Sequence, residues 1–322
     1  MRPVADIIDG TAVAEQIRAE LNEEIAALAE QGVRPGIATV LAGDDYGAGV
    51  YRRQVERVAT EAGIAYRDVT LPSDTTLAAV VHQVRELSQD PSVHGILPMR
   101  PLPRGVPEGP VLEALDLAKD VDGLHPVNAG RLALGQPAVY PATAWACFEL
   151  LERYFHRIGV DPGAGFEGKE LVIVGRSNSV GKPAYFLALQ RNATPTTVHS
   201  YTSKAGLLAA HTRRADILIV AMGKAEFIKA NMVKPGAIVV DVGISTVPVL
   251  DASGQPVADE KGRPKRRTVG DVAFDEVSRV VAAITPVPGG VGAVTNLLLL
   301  KNVIRAARAA AGRSTLRREG FP

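Results

Sequence analysis

The stretch ELVIVGRSNSVGKP (170–183) joins an apolar run to a turn of small residues and then to a segment rich in Ala, Leu and aromatics. A strand feeding such a turn and a following helix aims backbone N–H groups, and the positive end of the helix, at one point, which suits a phosphate. Gly175 and Gly181 relieve crowding beside a ligand, and Ser177 adds a hydroxyl donor. The spacing is not G-x-G-x-x-G, so in isolation the turn is as readily a bare tight turn. Its meaning comes from what surrounds it.

Around it, short apolar strands alternate with helices. After residue 150 the pattern predicts a helix through Leu150 and Tyr154, the strand quoted above, a helix over 181–191 and a strand TTVHSY (196–201). A helix over 204–213 and strands ADILIVAMG (215–223) and GAIVVDVGI (236–244) follow. Before residue 150, Thr11 is placed to cap a helix that carries Val13, Ile17, Leu21, Ile25 and Leu28 on one face, with Gly32 as its stop. Strands at 36–43, 65–71 and 95–99 then alternate with helices near 48–62 and around Leu77–Leu87. Nearly wholly apolar strands separated by helices mark a parallel sheet covered on both faces. The expectation is a two-domain α/β protein, residues 1–150 and 151–296, with HRIGVDPGAGFEGK (156–169) as the linker. The apolar-faced segment from 297 to 322 is expected as a helix that packs back onto the first domain.

Composition limits the rest. At 322 residues and 46% apolar content the chain can build two cores, and 36 basic against 35 acidic residues leave no global field for nucleic acid or membrane. No run reaches the ~18 apolar residues of a membrane span, and the N-terminus has no apolar signal core. A lone Cys147 forms no intrachain disulfide, and it reads as a small buried side chain. A soluble cytoplasmic protein is expected. The polar insert 250–268 ends in KGRPKRRT, but no aromatics interleave its charges, so it reads as a solvated loop. The six histidines are scattered without metal spacing, and His125 reads as a loop-packing or capping residue.

The second strand of the second domain discriminates between cofactors. A dinucleotide fold that takes NAD places an acid after this strand to accept from the ribose hydroxyl. Here TTVHSY leads into Thr202, Ser203 and Lys204. Hydroxyls and a cation suit a 2′-phosphate, and Arg176 beside the turn adds a planar donor fork, so NADP is favoured over NAD. Lys182 and Lys224 are candidates to approach the cofactor phosphates.

Four further stretches, KDVDGLHPVNAGRL (119–132), KPGAIVVDVGI (234–244), VGDVAF (269–274) and ITPVPGGVGAVT (284–295), join GRSNSVGKP in a fixed order. Together they resemble the 5,10-methylenetetrahydrofolate dehydrogenase/cyclohydrolase family over nearly the whole chain. The resemblance implies an N-terminal folate-binding α/β domain, a Rossmann-like NADP domain, a cleft between them and a homodimer. It places Tyr51 against the pterin and Asp122 on its N–H donors. Pro286, Pro288, Gly289, Gly290, Val291 and Gly292 would lie where folate meets nicotinamide. The cofactor would lie against Gly175, Arg176, Ser177, Gly181, Lys182, Ser203, Gly223, Gly243, Ile244 and Thr285. Read without the family, Tyr51 is a half-buried helix tyrosine and Asp122 a turn-forming aspartate.

The folate half departs from the family pattern. Where the family has S-x-x-Y-x-x-x-K, this chain has AGVYRRQV, with Ala48 for the serine and Val55 for the lysine. Where the family has G-I-L-V-Q-L-P-L-P, this chain has GILPMRPLP, with Pro98, Met99 and Arg100 in succession and Met99 at the glutamine position. Ala142 and Ala144 replace the cysteine and second proline of P-C-T-P, and Ala293 replaces a proline. Hydride transfer from the methylene carbon yields a cation that both flanking nitrogens stabilise, so it mainly needs alignment. Hydrolysis of the methenyl bridge needs water activation and a proton for the leaving nitrogen. The neighbouring arginines 52, 53 and 57 are poor substitutes for a lysine, because arginine stays charged at any working pH. The sequence therefore predicts an NADP-dependent dehydrogenase without cyclohydrolase activity. Two rivals stay open: transfer of the methylene carbon to another acceptor without redox chemistry, and a non-catalytic folate- or NADP-binding paralogue.

Overall fold

The computed structural model describes residues 5–251, 255–258 and 262–312. Strand β1 (Asp6–Ile7) leads into helix α1 (Gly10–Ala29). The Asp9 carboxylate accepts from the N–H groups of Thr11 at 2.8 Å and Ala12 at 3.2 Å. Asp9 is thus the cap, and Thr11, expected in that role, sits in the first turn. A charged acceptor just before the helix answers both the free N–H groups and the positive helix end. Gly32, with φ 72°, ends the turn that follows α1.

Next come β2 (Gly36–Ala42), α2 (Tyr46–Glu61, capped by Asp45), β3 (Ala65–Leu71), α3 (Leu77–Gln89, capped by Thr76) and β4 (Gly95–Pro98). These strands form a parallel sheet in the order β3-β2-β4, and every residue of β2 is buried. A sheet covered on both faces explains why β2 reads as continuous apolar sequence rather than an alternation. Helices α4 (Glu108–Glu113) and α5 (Pro126–Ala133) follow, then α6 (Ala142–Arg157) and α7 (Pro162–Phe166).

The second sheet is built from β5 (Glu170–Val174), α8 (Gly181–Leu189), β6 (Thr194–Val198), α9 (Ser200–Lys204), α10 (Leu208–Thr212), β7 (Ile217–Val220) and β8 (Ile238–Asp241). The helix expected over 204–213 is two short ones, broken at Gly206 with φ 73°. An antiparallel ribbon, β9 (Ser245–Pro248) with β10 (Arg266–Val269), stands at the base of the polar insert. Within it Arg267 pairs with Glu226 at 2.9 Å, and residues 252–254 and 259–261 of the insert lie outside the described residues. The chain closes through α11 (Phe274–Val277), β11 (Ala283–Ile284) and α12 (Val291–Ala310). The part of the expected C-terminal helix beyond residue 312 lies outside the described residues.

The chain divides into two compact units. Among the described residues, one comprises the chain through Val13 with Ala146–Val294, and the other Ala14–Trp145 with the chain from Thr295. The opening residues therefore join the second sheet, where β1 pairs with β11 in parallel. The stretch 156–169, expected as the linker, is folded inside one unit. Asp161 caps α7, and Phe166 is fully buried, edge-on to Phe155 at 5.2 Å. Gly159 and Gly168 follow the ends of α6 and α7, and Gly163 and Gly165 lie within α7. In the other unit α12 is tied down from Thr295 onward. Asn302 Nδ2 donates to the carbonyls of Val121 at 2.9 Å and Tyr140 at 3.0 Å, and Arg308 pairs with Glu24 at 2.9 Å.

The six-stranded sheet runs β1-β11-β8-β7-β5-β6, and its pairings are parallel. From β5 the chain goes out to β6 on one side and to β7 on the other. Opposite crossovers open a crevice beyond the carboxyl end of β5, where doubly wound sheets hold ligands. The three-stranded sheet reverses in the same way about β2, which has β3 and β4 on its two sides.

Candidate functional sites in the two units

At the carboxyl end of β5, Gly175 has φ 141°, and a Cβ there would stand 2.3 Å from the Ala221 carbonyl. A Cβ on Gly181 would stand 2.2 Å from the Gly175 carbonyl. Only glycine lets the turn fold this closely onto the loop after β7, leaving its N–H groups at the start of α8. The Ser177 hydroxyl accepts from the Val180 N–H at 3.1 Å, so it shapes the turn, while Lys182 Nζ donates to Asn178 at 2.7 Å.

Arg176 and Lys204 converge on one aromatic ring. The guanidinium carbon of Arg176 lies 5.6 Å from the Tyr201 ring centroid and Lys204 Nζ 5.3 Å. Tyr201 is exposed. Two cations gathered beside a phosphate-type turn fit a dinucleotide bearing an additional phosphate. Ser203, expected to help them, sits on the same short helix, with its N–H donating to the His199 carbonyl. Tyr201 directly precedes Thr202, Ser203 and Lys204 in sequence, but nothing local signals that both cations meet its ring.

The remaining expected cofactor contacts are organised by two buried carboxylates. Asp271 accepts from the N–H groups of Met222, Gly223 and Lys224 at 2.7, 2.8 and 2.7 Å. Asp241 accepts from those of Gly243, Asp271 and Val272 at 2.9, 3.0 and 2.9 Å. Thr285 is fully buried and its hydroxyl accepts from the Asp241 N–H at 2.8 Å, so it braces β8, whereas Ile244 is exposed. Burial pushes the Asp241 carboxyl up to about 6, against the three N–H groups that favour its charge. The DVG and GDV stretches thus lock the loops that follow β7 and β8. Beyond β11, Pro288 and Gly292 are exposed, while Gly290 and Val291 are buried at the start of α12.

In the other unit the DVDGLHPVN stretch separates into a scaffold and a site. Asp120 is buried and accepts from the Leu124 N–H at 3.2 Å, the His125 N–H at 2.9 Å and Asn128 Nδ2 at 2.7 Å. His125 caps α5 through Nδ1. This frame presents Asp122 at the end of β4, whose residue Ile96 pairs with Asp120. Asp122 meets Arg100 at 2.6 Å, and a second nitrogen of Arg100 stands 3.5 Å from Glu108. Burial pushes Asp122 up to about 6, although Arg100 pulls it down. Tyr51 on α2 is near enough to feel both charges, and burial first, then Asp122, drive its phenol far above the usual range.

The wall behind these groups is apolar. Val55 lies one turn along α2 from Tyr51 and is 1% exposed, as is Met99, whose N–H donates to the Val40 carbonyl. Ala48, Ala142 and Ala144 are buried too, and Pro98 ends β4. Arg52 turns away to pair with Asp68, and Arg53 and Arg57 are exposed. Residues 14–145 contain one lysine, Lys119, whose Nζ donates to the carbonyls of Leu87 and Asp90. In α12, Lys301 pairs with Glu20. Cys147, outside this wall, is buried and its thiol is pushed up to about 12 by burial, which suits packing and not nucleophilic work. Among the described residues no group of three or more His, Cys, Asp or Glu side chains could hold a metal, and no helix is long and apolar enough to cross a membrane.

Comparison with known proteins agrees with both halves. Residues 8–122 match the tetrahydrofolate dehydrogenase/cyclohydrolase catalytic domain, and residues 141–311 match the NAD(P)-binding domain of the same enzymes. Bifunctional protein FolD 3 of Rubrobacter xylanophilus is 44% identical over 313 residues, which cover 97% of this chain and 95% of that one. The bifunctional FolD methylenetetrahydrofolate dehydrogenase/cyclohydrolase of Campylobacter jejuni superposes with a TM-score of 0.83 at 36% identity, covering 95% of this chain and 99% of the other. The Trypanosoma brucei N5,N10-methylenetetrahydrofolate dehydrogenase-cyclohydrolase, solved with NADP cofactor and an inhibitor, also gives 0.83, at 35% identity over 97% and 100% of the two chains.

Proposed function

The chain belongs to the tetrahydrofolate dehydrogenase/cyclohydrolase family, and from that premise we propose that it oxidises 5,10-methylenetetrahydrofolate to the methenyl form with NADP and has lost the hydrolysis step. When bound, NADP supplies the hydride acceptor. The protein's part in that step is to hold and align, since the product cation is stabilised by its own nitrogens. On this reading the Gly175–Gly181 turn takes the pyrophosphate, and Arg176 and Lys204 take the 2′-phosphate. Tyr51 packs on the pterin and Asp122 accepts its N–H donors.

The observation that carries the loss of hydrolysis is the burial of two apolar side chains, Val55, one helical turn from Tyr51 on α2, and Met99, which directly precedes Arg100. A general acid or base must reach the proton it moves, and removing one costs about 10²–10⁴ in rate. The lysines in this unit are engaged elsewhere: Lys119 with the Leu87 and Asp90 carbonyls, Lys301 with Glu20. Asp122 titrates in a useful range, but Arg100 and the Ala142 N–H already engage it, which suits holding a ligand and not shuttling a proton. The same reading has the protein acting as a cytoplasmic homodimer, a state that light scattering on the purified chain reads directly.

The test is incubation with methylenetetrahydrofolate and NADP⁺. NADPH formation is expected. Binding of the folate without any NADPH would remove the dehydrogenase reading.

A further inference from the structure

Arg100 is the one guanidinium that the described residues bring onto Asp122. Its Nη2 stands 2.6 Å from Asp122 Oδ2, its Nη1 stands 3.5 Å from Glu108 Oε1, and its side chain remains 31% exposed. Two carboxylates therefore hold one planar fork in place while part of it still faces solvent. Arginine has five N–H donors and a carboxylate about four acceptor sites, so the contact at 2.6 Å leaves both partners with capacity to spare. The corner thus offers a fixed donor beside a fixed acceptor, with the Tyr51 ring close by and apolar Val55 and Met99 behind.

A ring that carries an N–H next to a C=O, the lactam edge of a 4-oxopterin, answers this pair group for group. The N–H meets the carboxylate and the carbonyl oxygen meets the guanidinium. A 4-amino ring presents a donor in place of the carbonyl, and an arginine cannot accept a hydrogen bond at any working pH. A site built to bond a polar group rejects the analogue that leaves its own donors unmet. We propose that Arg100 is a specificity-determining residue that, through its pair with Asp122, selects 4-oxopterins and excludes their 4-amino analogues. This rests on the folate reading above and adds the chemistry of the recognised edge.

The experiment measures binding of folic acid and of its 4-amino analogue aminopterin to the full chain by calorimetry, for the wild type, Arg100→Leu and Arg100→Lys. The wild type is expected to prefer folic acid by at least about tenfold, and Arg100→Leu to lower that preference by roughly ten- to hundredfold. Arg100→Lys keeps the charge without the planar fork and is expected to fall between the two. A wild type that binds both compounds equally overturns the proposal without recourse to any variant, and so does an unchanged preference in a folded Arg100→Leu. Oxidation of methylenetetrahydrofolate by the same wild-type sample separates the two ideas: turnover without 4-oxo preference sinks this inference alone, whereas absence of both binding and turnover sinks the folate reading with it.

Discussion

Arg100 and Asp122, 22 positions apart in sequence, form a 2.6 Å ion pair at the end of β4. The pair places a cation against the carboxylate that would receive the substrate's N–H groups. It leaves the Asp122 carboxyl at about 6, between the pull of Arg100 and the larger push of burial. The corner is therefore electrically specified by these two groups, while Val55 and Met99 are buried and apolar.

Binding of the pterin should follow the ionisation of Asp122. A carboxylate accepts two N–H groups, whereas the protonated acid presents a donor of its own. With the carboxyl titrating near 6, affinity for folic acid should be constant above about pH 7 and decline roughly tenfold per unit well below 6. Calorimetric titrations from pH 5 to pH 8 check this, and a flat profile would contradict it.

On the proposed reading, a lysine at position 55 and a glutamine at position 99 should confer the hydrolysis step. Lysine at position 55 would sit in an apolar, buried place that lowers its pKa toward neutrality. Val55→Lys combined with Met99→Gln is expected to accelerate methenyltetrahydrofolate hydrolysis by about a hundredfold or more. Val55→Met, which adds bulk without a proton carrier, should leave it at the wild-type level.

The second domain makes its own prediction. Arg176, held over Tyr201 with Lys204, is assigned to the phosphate that distinguishes NADP from NAD. Arg176→Ala should weaken NADP binding by roughly ten- to hundredfold, the usual worth of a hydrogen bond to a charged group, and change NAD binding far less. Equal losses for both cofactors would move Arg176 out of this role.

Asn302 links α12 to the segment that presents Asp122. Its side-chain amide donates to the carbonyls of Val121 and Tyr140 and is 3% exposed. Asn302→Ala removes the donor from the buried Val121 carbonyl and the part-buried Tyr140 carbonyl, so unfolding free energy should fall by about 1–3 kcal/mol in urea titrations.

Much of this was legible from residue order. The strands at 36–42 and 170–174 lie where apolar runs put them, because each is buried within its sheet and needs a nearly unbroken apolar sequence, whereas 65–71 is an edge strand that keeps Arg67 and Asp68 exposed. The tight strand-to-helix turn at Gly175–Gly181 was legible because glycine spacing and an apolar strand before it are both local signals. The misreadings share a cause, in that a local signal had two uses. The glycines of 156–169 look like a linker, but Gly159 and Gly168 follow the ends of α6 and α7, and Gly163 and Gly165 lie within α7, inside a packed unit around Phe166. Thr11 and Asp9 are both good caps, and position relative to the first free N–H decides between them. The Arg100–Asp122 pair could not be read at all, since it depends on two loops meeting in space. Nor could the Asp241 and Asp271 carboxylates be told from exposed acids before their N–H partners were seen.

On the proposed function, hydride transfer survives where hydration of its product does not. The most direct measurement follows the fate of carbon-labelled methylenetetrahydrofolate with NADP⁺ on one purified sample, quantifying methenyl and 10-formyl products against NADPH. The account predicts methenyltetrahydrofolate accumulating in step with NADPH and opening only at its spontaneous rate. Enzyme-dependent appearance of 10-formyltetrahydrofolate, at a rate that keeps pace with NADPH, would contradict it.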